Sequence, residues 1–253
     1  MNIIVPIKMV PDLVEELSID PSGAALDTTW MRLILNEFDD HAIEQAILLK
    51  ERAGGQVTVI APDAPDVDDA LFTAAAKGAD RLIKLTGDTE SLNSHAFARA
   101  IAVIIKTEIP DLILTGVQAH DDLDGQVGPL LAELLSMPYV GYVSGVKVEH
   151  TMATVTKEYP GGLLGEFLVE LPAVLGIQAS DEPPRYVAFT KVRQAMQTAH
   201  IEEQDIGDPD MSGSLDVTRM FQPEVGERAE MLAGDTDEIS SRLIEIMQEH
   251  DVL

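Results

Sequence analysis

Short apolar runs alternate with helical segments through the first half of the chain, and this alternation restricts the fold more than any other feature. The helical segments carry apolar residues at a 3.6-residue period. Repeated strand–helix units of this kind form a parallel sheet with helices on both faces. The sequence therefore predicts an α/β fold with a doubly wound, mostly parallel sheet. The strand-like runs cover residues 3–7, 56–60, 81–85 and 112–115, and the helical segments cover residues 36–52, 64–77 and 94–108.

The segment 111–129, DLILTGVQAHDDLDGQVGP, indicates where a ligand would bind. An apolar strand leads into Gly116, an acidic loop follows, and residues 126–129 begin an amphipathic helix. Ligands of parallel sheets bind beyond the carboxyl ends of the strands, and a helix N-terminus there suits a phosphate. The alternative for this loop alone is an ordinary strand–helix connection. The expected pocket is built from residues 8–12, 61–63 and 116–128, with residues 36–39 closing it.

The second half of the chain has a different pattern. Residues 145–149, 151–158 and 164–171 alternate as antiparallel strands do, and residues 171–177 are typical of a buried strand. Beyond residue 184 the sequence predicts a helical turn at 191–196, a linker at 205–214 and an amphipathic helix at 235–250. We therefore divide the chain into a nucleotide-binding core, 1–184, and a C-terminal arm, 185–253. The arm cannot fold alone, so it packs on the core or on another subunit.

Composition narrows the possible partners. The chain carries 17 Lys and Arg against 44 Asp and Glu, a formal charge of -27. Such an acidic surface argues against nucleic acid and anionic membranes as partners and favours a partner with a basic surface. A saline habitat would also select for an acidic surface. There is no Cys, which excludes disulfides and Cys-ligated clusters. No apolar run is long enough to span a bilayer and no secretory signal is visible, so a cytoplasmic protein that is not membrane-embedded is predicted.

The motifs of common enzyme classes are missing from the sequence. It has no G-x-G-x-x-G, no phosphate-binding G-x-x-x-x-G-K-[ST], no G-x-S-x-G and no H-E-x-x-H. Its six His residues lack metal-ligand spacing, and no nucleophile is paired with a base. We therefore expect a nucleotide pocket with no catalytic residue and no metal.

Five blocks, in order, resemble the β (small) subunit of electron transfer flavoprotein, whose fold is Rossmann-like and binds adenine nucleotides. The first block, 36–51, begins Asn36-Glu37-Phe38, and its N-E-F-D-D form looks most like the bacterial branch that serves amine dehydrogenases. The remaining blocks are A-x-x-x-G-A-D-R at 74–81, the loop at 115–121, G-G to P-A-V at 161–174, and Pro184-Arg185-Tyr186.

The resemblance implies a heterodimer with an α subunit, one FAD held mainly by α, and a structural AMP in this chain. It also implies a flavin dehydrogenase as electron donor. Leu13 and Phe38 match positions that face the flavin, and Tyr186 and Phe189 lie in the loop that docks the donor. The positions that match nucleotide contacts are Pro6, Asn36, Glu37, Phe38, Asp39, Pro62, Gly116, Val117, Gln118, Ala119, Asp121, Gly125, Gln126 and Val127.

Departures from the family leave the nucleotide open between AMP, a second FAD and nothing. Val127 replaces a hydroxyl residue, and Gln-Val-Gly-Pro at 126–129 resembles the flavin-bifurcating branch, in which FAD takes the place of AMP. The D-G-D-T run of that branch is absent, however. Asp122 and Asp124 should repel a phosphate unless they point outward.

Other interpretations remain available for single residues and for the whole chain. Without the resemblance, Asn36 is a helix N-cap, Phe38 a hydrophobic contact, and Phe189 an internal side chain. A stand-alone stress-type nucleotide-binding module shares the sheet but needs a G-x-x-G-x(9)-G-[ST] loop, which is missing. An adenylate-transferring ligase needs S-G-G-x-D or H-x-G-H, and neither occurs.

Overall fold

The computed structural model describes residues 1–89, 92–122, 124–223, 229 and 231–252, so Leu123 of the predicted loop lies outside the described residues. The helices are α1 (Glu37–Ala53), α2 (Val67–Lys77), α3 (Ser94–Glu108), α4 (Val127–Leu135), α5 (Phe189–Thr198) and α6 (Thr236–Glu249). The strands are β1 (Asn2–Pro6), β2 (Met9–Pro11), β3 (Leu33–Leu35), β4 (Gln56–Pro62), β5 (Arg81–Thr86), β6 (Leu112–Gly116), β7 (Tyr139–Glu149), β8 (Met152–Tyr159), β9 (Leu163–Glu170), β10 (Ala173–Ile177) and β11 (Ile201–Asp205).

A nine-stranded sheet organises the chain, in the order β11-β5-β4-β1-β6-β10-β7-β8-β9. The strands from β11 to β7 run parallel, and β8 and β9 continue the sheet as an antiparallel meander. The chain passes from β1 to β4 and β5 on one side and then returns to place β6 on the other side of β1. The strand order therefore reverses between β1 and β6. The predicted α/β fold with a doubly wound, mostly parallel sheet is confirmed.

Each face of the parallel strands is covered by its own hydrophobic core. On one face Ile3 and Val5 of β1 pack with apolar residues of α1 and α2. On the other face Ile4 packs with apolar residues of α3 and α4. This alternation along β1 is the period of two that a strand buried on both faces requires. Helices on both faces leave the carboxyl end of the sheet open for a ligand.

The start of α2 differs from the sequence prediction. A helix was expected from residue 64, but α2 begins at Val67, after Asp66 in the left-handed conformation with φ 61°. Residues 64 and 65 instead belong to the loop at the carboxyl end of β4. The first-turn carboxylates that favour this helix start are Asp68 and Asp69.

The arm contributes one strand and one helix that extend the parallel part of the molecule. β11, which the sequence analysis does not predict, pairs with β5 at the edge of the sheet. Arg81 of β5 holds it through a forked contact with Glu202, at 2.9 and 3.1 Å. α5 is longer than the predicted helical turn and packs against α2. The division at 184/185 into core and arm stays a prediction.

The last helix, α6, lies against no core. Asp235 and Glu238 form a capping box at its start, which explains why it forms, but none of its residues is buried. Its apolar side chains Leu243, Ile244 and Met247 are each exposed by more than 40 %. In the part of the chain that the structure describes, no helix is long and apolar enough to cross a membrane.

Truncation tests how little α6 contributes to the stability of this chain. A chain ending at Pro223 should unfold in urea with a free energy within about 1 kcal/mol of the full chain, because none of the described residues beyond Pro223 is buried. A chain ending at Ala199 also loses β11 and should be less stable by about 2 kcal/mol or more. An equal loss of unfolding free energy in both truncated chains would show that the segment beyond Pro223 stabilises the core.

Candidate functional site

The carboxylate of Asp39, in the first turn of α1, joins the two strands between which the strand order reverses. Its Oδ2 accepts a hydrogen bond from the backbone N–H of Lys8, just after β1, at 2.9 Å. Its Oδ1 accepts one from the N–H of Gly116, at the end of β6, at 3.0 Å. A helix N-terminus stabilises a carboxylate at this position. One side chain therefore sets the spacing between the two strand ends at the mouth of the sheet.

Burial makes this carboxylate sensitive to pH. Asp39 is 5 % exposed. Burial raises the pKa of Asp39 to about 7, while the hydrogen bonds from Lys8 and Asn36, the charge of Lys8 and the N–H of Gly116 act in the opposite direction. The Asp39 carboxyl group therefore changes protonation near neutral pH.

The close approach of Asp39 requires glycine at position 116. A Cβ on Gly116 would lie 2.3 Å from Asp39 Oδ1 and 3.0 Å from the Asp39 nitrogen, too close for any other residue. Asn36 stands at the N-cap position of α1, but its side chain does not cap the helix. It donates instead to the carbonyl of Gln118 at 3.0 Å. The first turn of α1 is thus fastened to the loop 116–128.

Lys8 forms ion pairs with two carboxylates of the same loop. Its Nζ lies 2.8 Å from Asp121 Oδ1 and 3.0 Å from Asp122 Oδ1. Asp122 also accepts a hydrogen bond from the Ala119 N–H at 3.0 Å. Burial acts to lower the pKa of Lys8, but Asp122 and Asp121 outweigh it, and the pKa is raised. Asp122 therefore points inward, and Lys8 compensates its charge.

A cavity of about 400 Å³, the outer cavity, opens beside this ion pair. Its walls are residues 28–33 on one side, residues 62–65 on a second, and the start of α3 on a third. This volume lies within the range of small-molecule sites. Among the described residues that line it, Lys8 is the only Lys or Arg, and the carboxylates are Asp63, Asp121 and Asp122.

A smaller space, the inner recess, lies next to the outer cavity and measures about 20 Å³. Lys8, Phe97, Asp122 and Val127 line both spaces and so stand between them. The recess in its present form has room for little more than one water molecule.

Thr115 leaves an unsatisfied polar atom in the inner recess. The residue is 3 % exposed, and its Oγ1 has no hydrogen-bond partner among the described residues. It lies beneath the first turn of α4, 3.0 Å from the position that a Cβ on Gly128 would take. A buried hydroxyl without a partner costs stability, and either an ordered water or a hydrogen-bonding group of a ligand would remove this cost.

The predicted nucleotide-contacting residues fall into three groups. Pro62, Asp121 and Val127 line the outer cavity. Glu37, Phe38 and Gln126 line neither space. Those that line the inner recess are Pro6, Asn36, Asp39, Gly116, Val117, Gln118, Ala119, Gly125 and Val127.

Leu13 and Phe38, the predicted flavin-facing residues, lie outside both spaces. Leu13 is 60 % exposed on the loop that follows β2, and Phe38 is partly exposed in the first turn of α1. The loop that carries Leu13 is tied to the loop 116–128, since His120 Nε2 lies 2.7 Å from the Pro11 carbonyl oxygen. Both side chains are accessible to a partner.

The segment with the predicted docking residues is clamped onto α1. Glu44, 2 % exposed, accepts hydrogen bonds from the backbone N–H and the Nε of Arg185 at 3.0 and 2.9 Å. The guanidinium also reaches Glu51 at 2.6 Å, and these carboxylates raise the pKa of Arg185. Beyond the clamp, Tyr186 is 92 % exposed and Phe189 is 66 % exposed. Phe189 does not pack internally.

Some site residues were not singled out from the sequence. Thr115 belongs to an apolar strand run, and residues 92–97 precede or begin a helix, so neither carries a local signal of ligand contact. The pairing of Asp124 with His95 Nε2, at 3.3 Å, was also missed because it joins two distant loops.

The site brings together groups that can bind a ligand. Among the described residues no cluster of His, Cys, Asp or Glu could hold a metal ion. The first turn of α4, the Thr115 hydroxyl and the apolar Phe97 and Val127 lie at this site, where a ligand would meet hydrogen-bonding groups and apolar surface.

Comparison with known proteins shows which family this chain is similar to. A family model described as the electron transfer flavoprotein domain matches residues 28–209. The electron transfer flavoprotein subunit beta of Methylophilus methylotrophus is 33% identical over 262 residues, covering 98% of each chain. The protein of the same name from Thermoanaerobacterium thermosaccharolyticum is 32% identical over 263 residues, covering 100% of each. That of Clostridium acetobutylicum is 36% identical over 197 residues, 76% of this chain and 74% of the relative.

Exchanging Asp39 for Asn tests the bridge between β1 and β6. The folded protein keeps a proton on Asp39 at a pH where the unfolded chain, with an ordinary pKa of 3.8, has released it. The stability of the natural chain relative to Asp39→Asn should therefore fall as the pH rises from about 4 to about 7, by at most about 4 kcal/mol. Urea unfolding of both proteins across this range measures the difference.

Asp27→Asn is the control for this experiment. The Asp27 carboxylate is exposed, and its pKa is lowered by the hydroxyl and N–H of Thr29. Its contribution to stability is therefore lost only as the pH falls below about 4, and Asp27→Asn should parallel the natural chain between pH 5 and 8. A pH-independent difference between the natural chain and Asp39→Asn would contradict the buried, titrating role of Asp39.

Proposed function

The chain belongs to the β-subunit family of electron transfer flavoproteins, and from this we propose that it pairs with an α subunit to form a heterodimeric electron carrier. In this proposal it receives electrons from a flavin dehydrogenase and passes them to a downstream acceptor. Bound FAD, held mainly by the α subunit, supplies the redox chemistry. The residues of this chain bind, orient and shield, and none acts as an acid, base or nucleophile.

The observation that carries the proposal is the site at the reversal of strand order. The outer cavity has the volume of a small-molecule site, and the α4 N-terminus borders it through Val127. Thr115, which lines the adjoining inner recess, has a hydroxyl without a hydrogen-bond partner among the described residues. These features support the proposal of an adenine-nucleotide site at this end of the sheet. We therefore infer that this subunit holds an AMP that serves as structural support.

The charge of the site favours binding through backbone groups. Asp121 and Asp122 already neutralise Lys8, so a phosphate gains little from that ammonium group unless it displaces one carboxylate. The N-terminus of α4 remains as the main anion-binding element. For one ligand to touch both the outer cavity and the inner recess, the side chains between them have to rotate away.

A second FAD in place of AMP is the alternative occupant. The Gln-Val-Gly-Pro sequence at 126–129 favours it, since the resemblance to the bifurcating branch rests on these residues. The outer cavity, at about 400 Å³, is at the small end of the range for ligand sites, which favours the mononucleotide.

The exposed apolar residues support an obligate partner. Leu13 and Phe38 are accessible to the flavin of the α subunit, and α6 presents Leu243, Ile244 and Met247 without a covering surface. A stand-alone nucleotide-binding module of the stress type would have no use for these features. We propose that α6 packs on the α subunit.

Identification of released nucleotides tests the proposal. Co-expression with an α subunit should yield a yellow 1:1 complex, and denaturation should release one FAD and one AMP per heterodimer, separated by chromatography. Two FAD per heterodimer would support the bifurcating alternative. A stable, colourless monomer that binds no flavoprotein subunit would contradict the proposed function.

Thr115→Val tests whether the nucleotide reaches the inner recess. Valine has a similar shape and removes only the hydroxyl, so the ligand-free chain should keep or slightly gain stability in urea. AMP affinity, measured by isothermal titration calorimetry on the nucleotide-free complex, should fall about fivefold to tenfold, the worth of one hydrogen bond. Unchanged AMP affinity would place the ligand in the outer cavity alone.

A further inference from the structure

An irregular segment of the C-terminal arm connects two walls of the outer cavity. This segment, residues 208–220, comes after β11 and contains neither helix nor strand, and we name it the strap. Near its beginning it contacts the start of α3, which forms one wall. At its end the N–H of Met220 donates to the Gly23 carbonyl at 2.7 Å. Gly23 belongs to the loop 12–32, and the second half of this loop forms another wall.

The side chains of α3 hold three consecutive carbonyl groups of the strap. Arg99 Nη2 donates to the carbonyl of Ser212 at 2.6 Å and also to the carbonyl of Asp210. Its Nε lies 3.5 Å from the carboxylate of Asp210. Asn93 Nδ2 donates to the carbonyl of Met211 at 2.8 Å. The backbone of the strap is therefore fixed to α3 from residue 210 to residue 212.

The strap also contacts the residue that joins α3 to the loop 116–128. A Cβ on Gly213, whose φ is 90°, would lie 3.0 Å from His95 Nδ1, so a residue with a side chain would push the strap away. The other ring nitrogen of His95 lies 3.3 Å from Asp124 Oδ2 in the loop 116–128. The strap, α3 and the loop that borders the nucleotide site are thereby connected.

Hydrogen bonds rather than packing attach the strap to the rest of the chain. None of residues 208–220 is buried. Among the described residues that line the outer cavity, none belongs to the strap. A segment with so few buried contacts opens locally while the remainder of the protein stays folded. β11, just before it, is in contrast fixed by its pairing with β5. The strap can therefore release α3 without disturbing the sheet.

We propose that the strap gates the outer cavity and controls how fast a nucleotide enters and leaves. When attached, it holds the loop 12–32 and the start of α3 together, and exchange takes place only after its contacts with α3 are released. This inference rests on the proposed function and adds the regulation of its nucleotide site. Because the strap contacts the walls and not the lining, its release is equally costly with and without a ligand. Weakening the strap therefore accelerates entry and exit alike and leaves the affinity unchanged.

Exchange of labelled AMP in the complex with the α subunit tests this inference. The complex is loaded with radiolabelled AMP and chased with excess unlabelled AMP, and the bound label is followed over time. Arg99→Gln removes the guanidinium contacts with the strap and should raise the dissociation rate about tenfold, the worth of one hydrogen bond. The association rate, from rapid mixing of AMP with the nucleotide-free complex, should rise by a similar factor. The Kd should then stay within about twofold of the natural value.

Lys106→Gln is the matched control. Lys106 lies on α3 about two turns beyond Arg99, is exposed, and forms no ion pair among the described residues. The substitution removes the same charge from the same helix, away from the strap. Both AMP rates should stay within about twofold of the natural values, since an exposed charge without a partner contributes little. Equal acceleration by Arg99→Gln and Lys106→Gln would show that only net charge matters and would overturn the proposal.

Gly213→Ala tests the same contact from the side of the strap. Its methyl group would meet the His95 ring, in a backbone conformation that alanine rarely adopts, so the strap should leave α3. Both AMP rates should rise, as in Arg99→Gln. The thermal midpoint of the complex should change by less than about 3 °C, because the strap contains no buried residue.

Three further results would overturn the gating role of the strap. The first is unchanged AMP rates in both variants when the complexes keep their flavin and thermal midpoint. The second is a raised Kd with an unchanged association rate, which would mean that Arg99 supports the nucleotide contacts themselves. The third is loss of flavin or of the α subunit, which would place the strap in the subunit interface. If the natural complex retains no labelled AMP, the proposed function itself fails, so the two failures are distinguishable.

Discussion

The contact on which the site depends is the Asp39 carboxylate between the N–H groups of Lys8 and Gly116. In a doubly wound sheet, the connections on either side of the point of reversal run in opposite directions and leave a crevice between the strand ends. At these strand ends, the backbone N–H groups of Lys8 and Gly116 donate to a side chain and not to a neighbouring strand. Asp39 supplies both with an acceptor from the start of α1, and Gly116 lacks the Cβ that would block it. The helix, the two strands and the loop 116–128 are thereby set in one arrangement, from which the outer cavity and the inner recess follow.

Much of the fold follows from local patterns in the sequence. β1, β4, β5 and β6 are short apolar runs, and α1 and α3 have clear periods and breakers, so their order and approximate bounds were predicted. β11 was not predicted, because Glu203 and Asp205 of this short edge strand are exposed, so it has no apolar run. Its pairing with β5 also joins distant parts of the chain. The start of α2 was misplaced because its loop adopts a left-handed turn at Asp66 that no local pattern reveals.

The site was predicted as a region but not as a set of contacts. Parallel topology alone indicated residues 8–12, 36–39, 61–63 and 116–128, and these do meet at one edge of the sheet. Which charges cancel there depends on distances between loops, so the inward turn of Asp122 toward Lys8 was not foreseen. The unpartnered hydroxyl of Thr115 is likewise a property of packing, invisible in a run of apolar residues.

Helix α1 serves two regions at once. Its first turn holds the strand ends through Asn36 and Asp39, while Glu44, Gln45 and Glu51 further along hold the segment that leads into α5. These polar residues of α1 are thereby committed to contacts within the chain. The exposed flank of α5 carries no such obligation, so its side chains can be exchanged while the contacts of α1 with the strand ends stay intact.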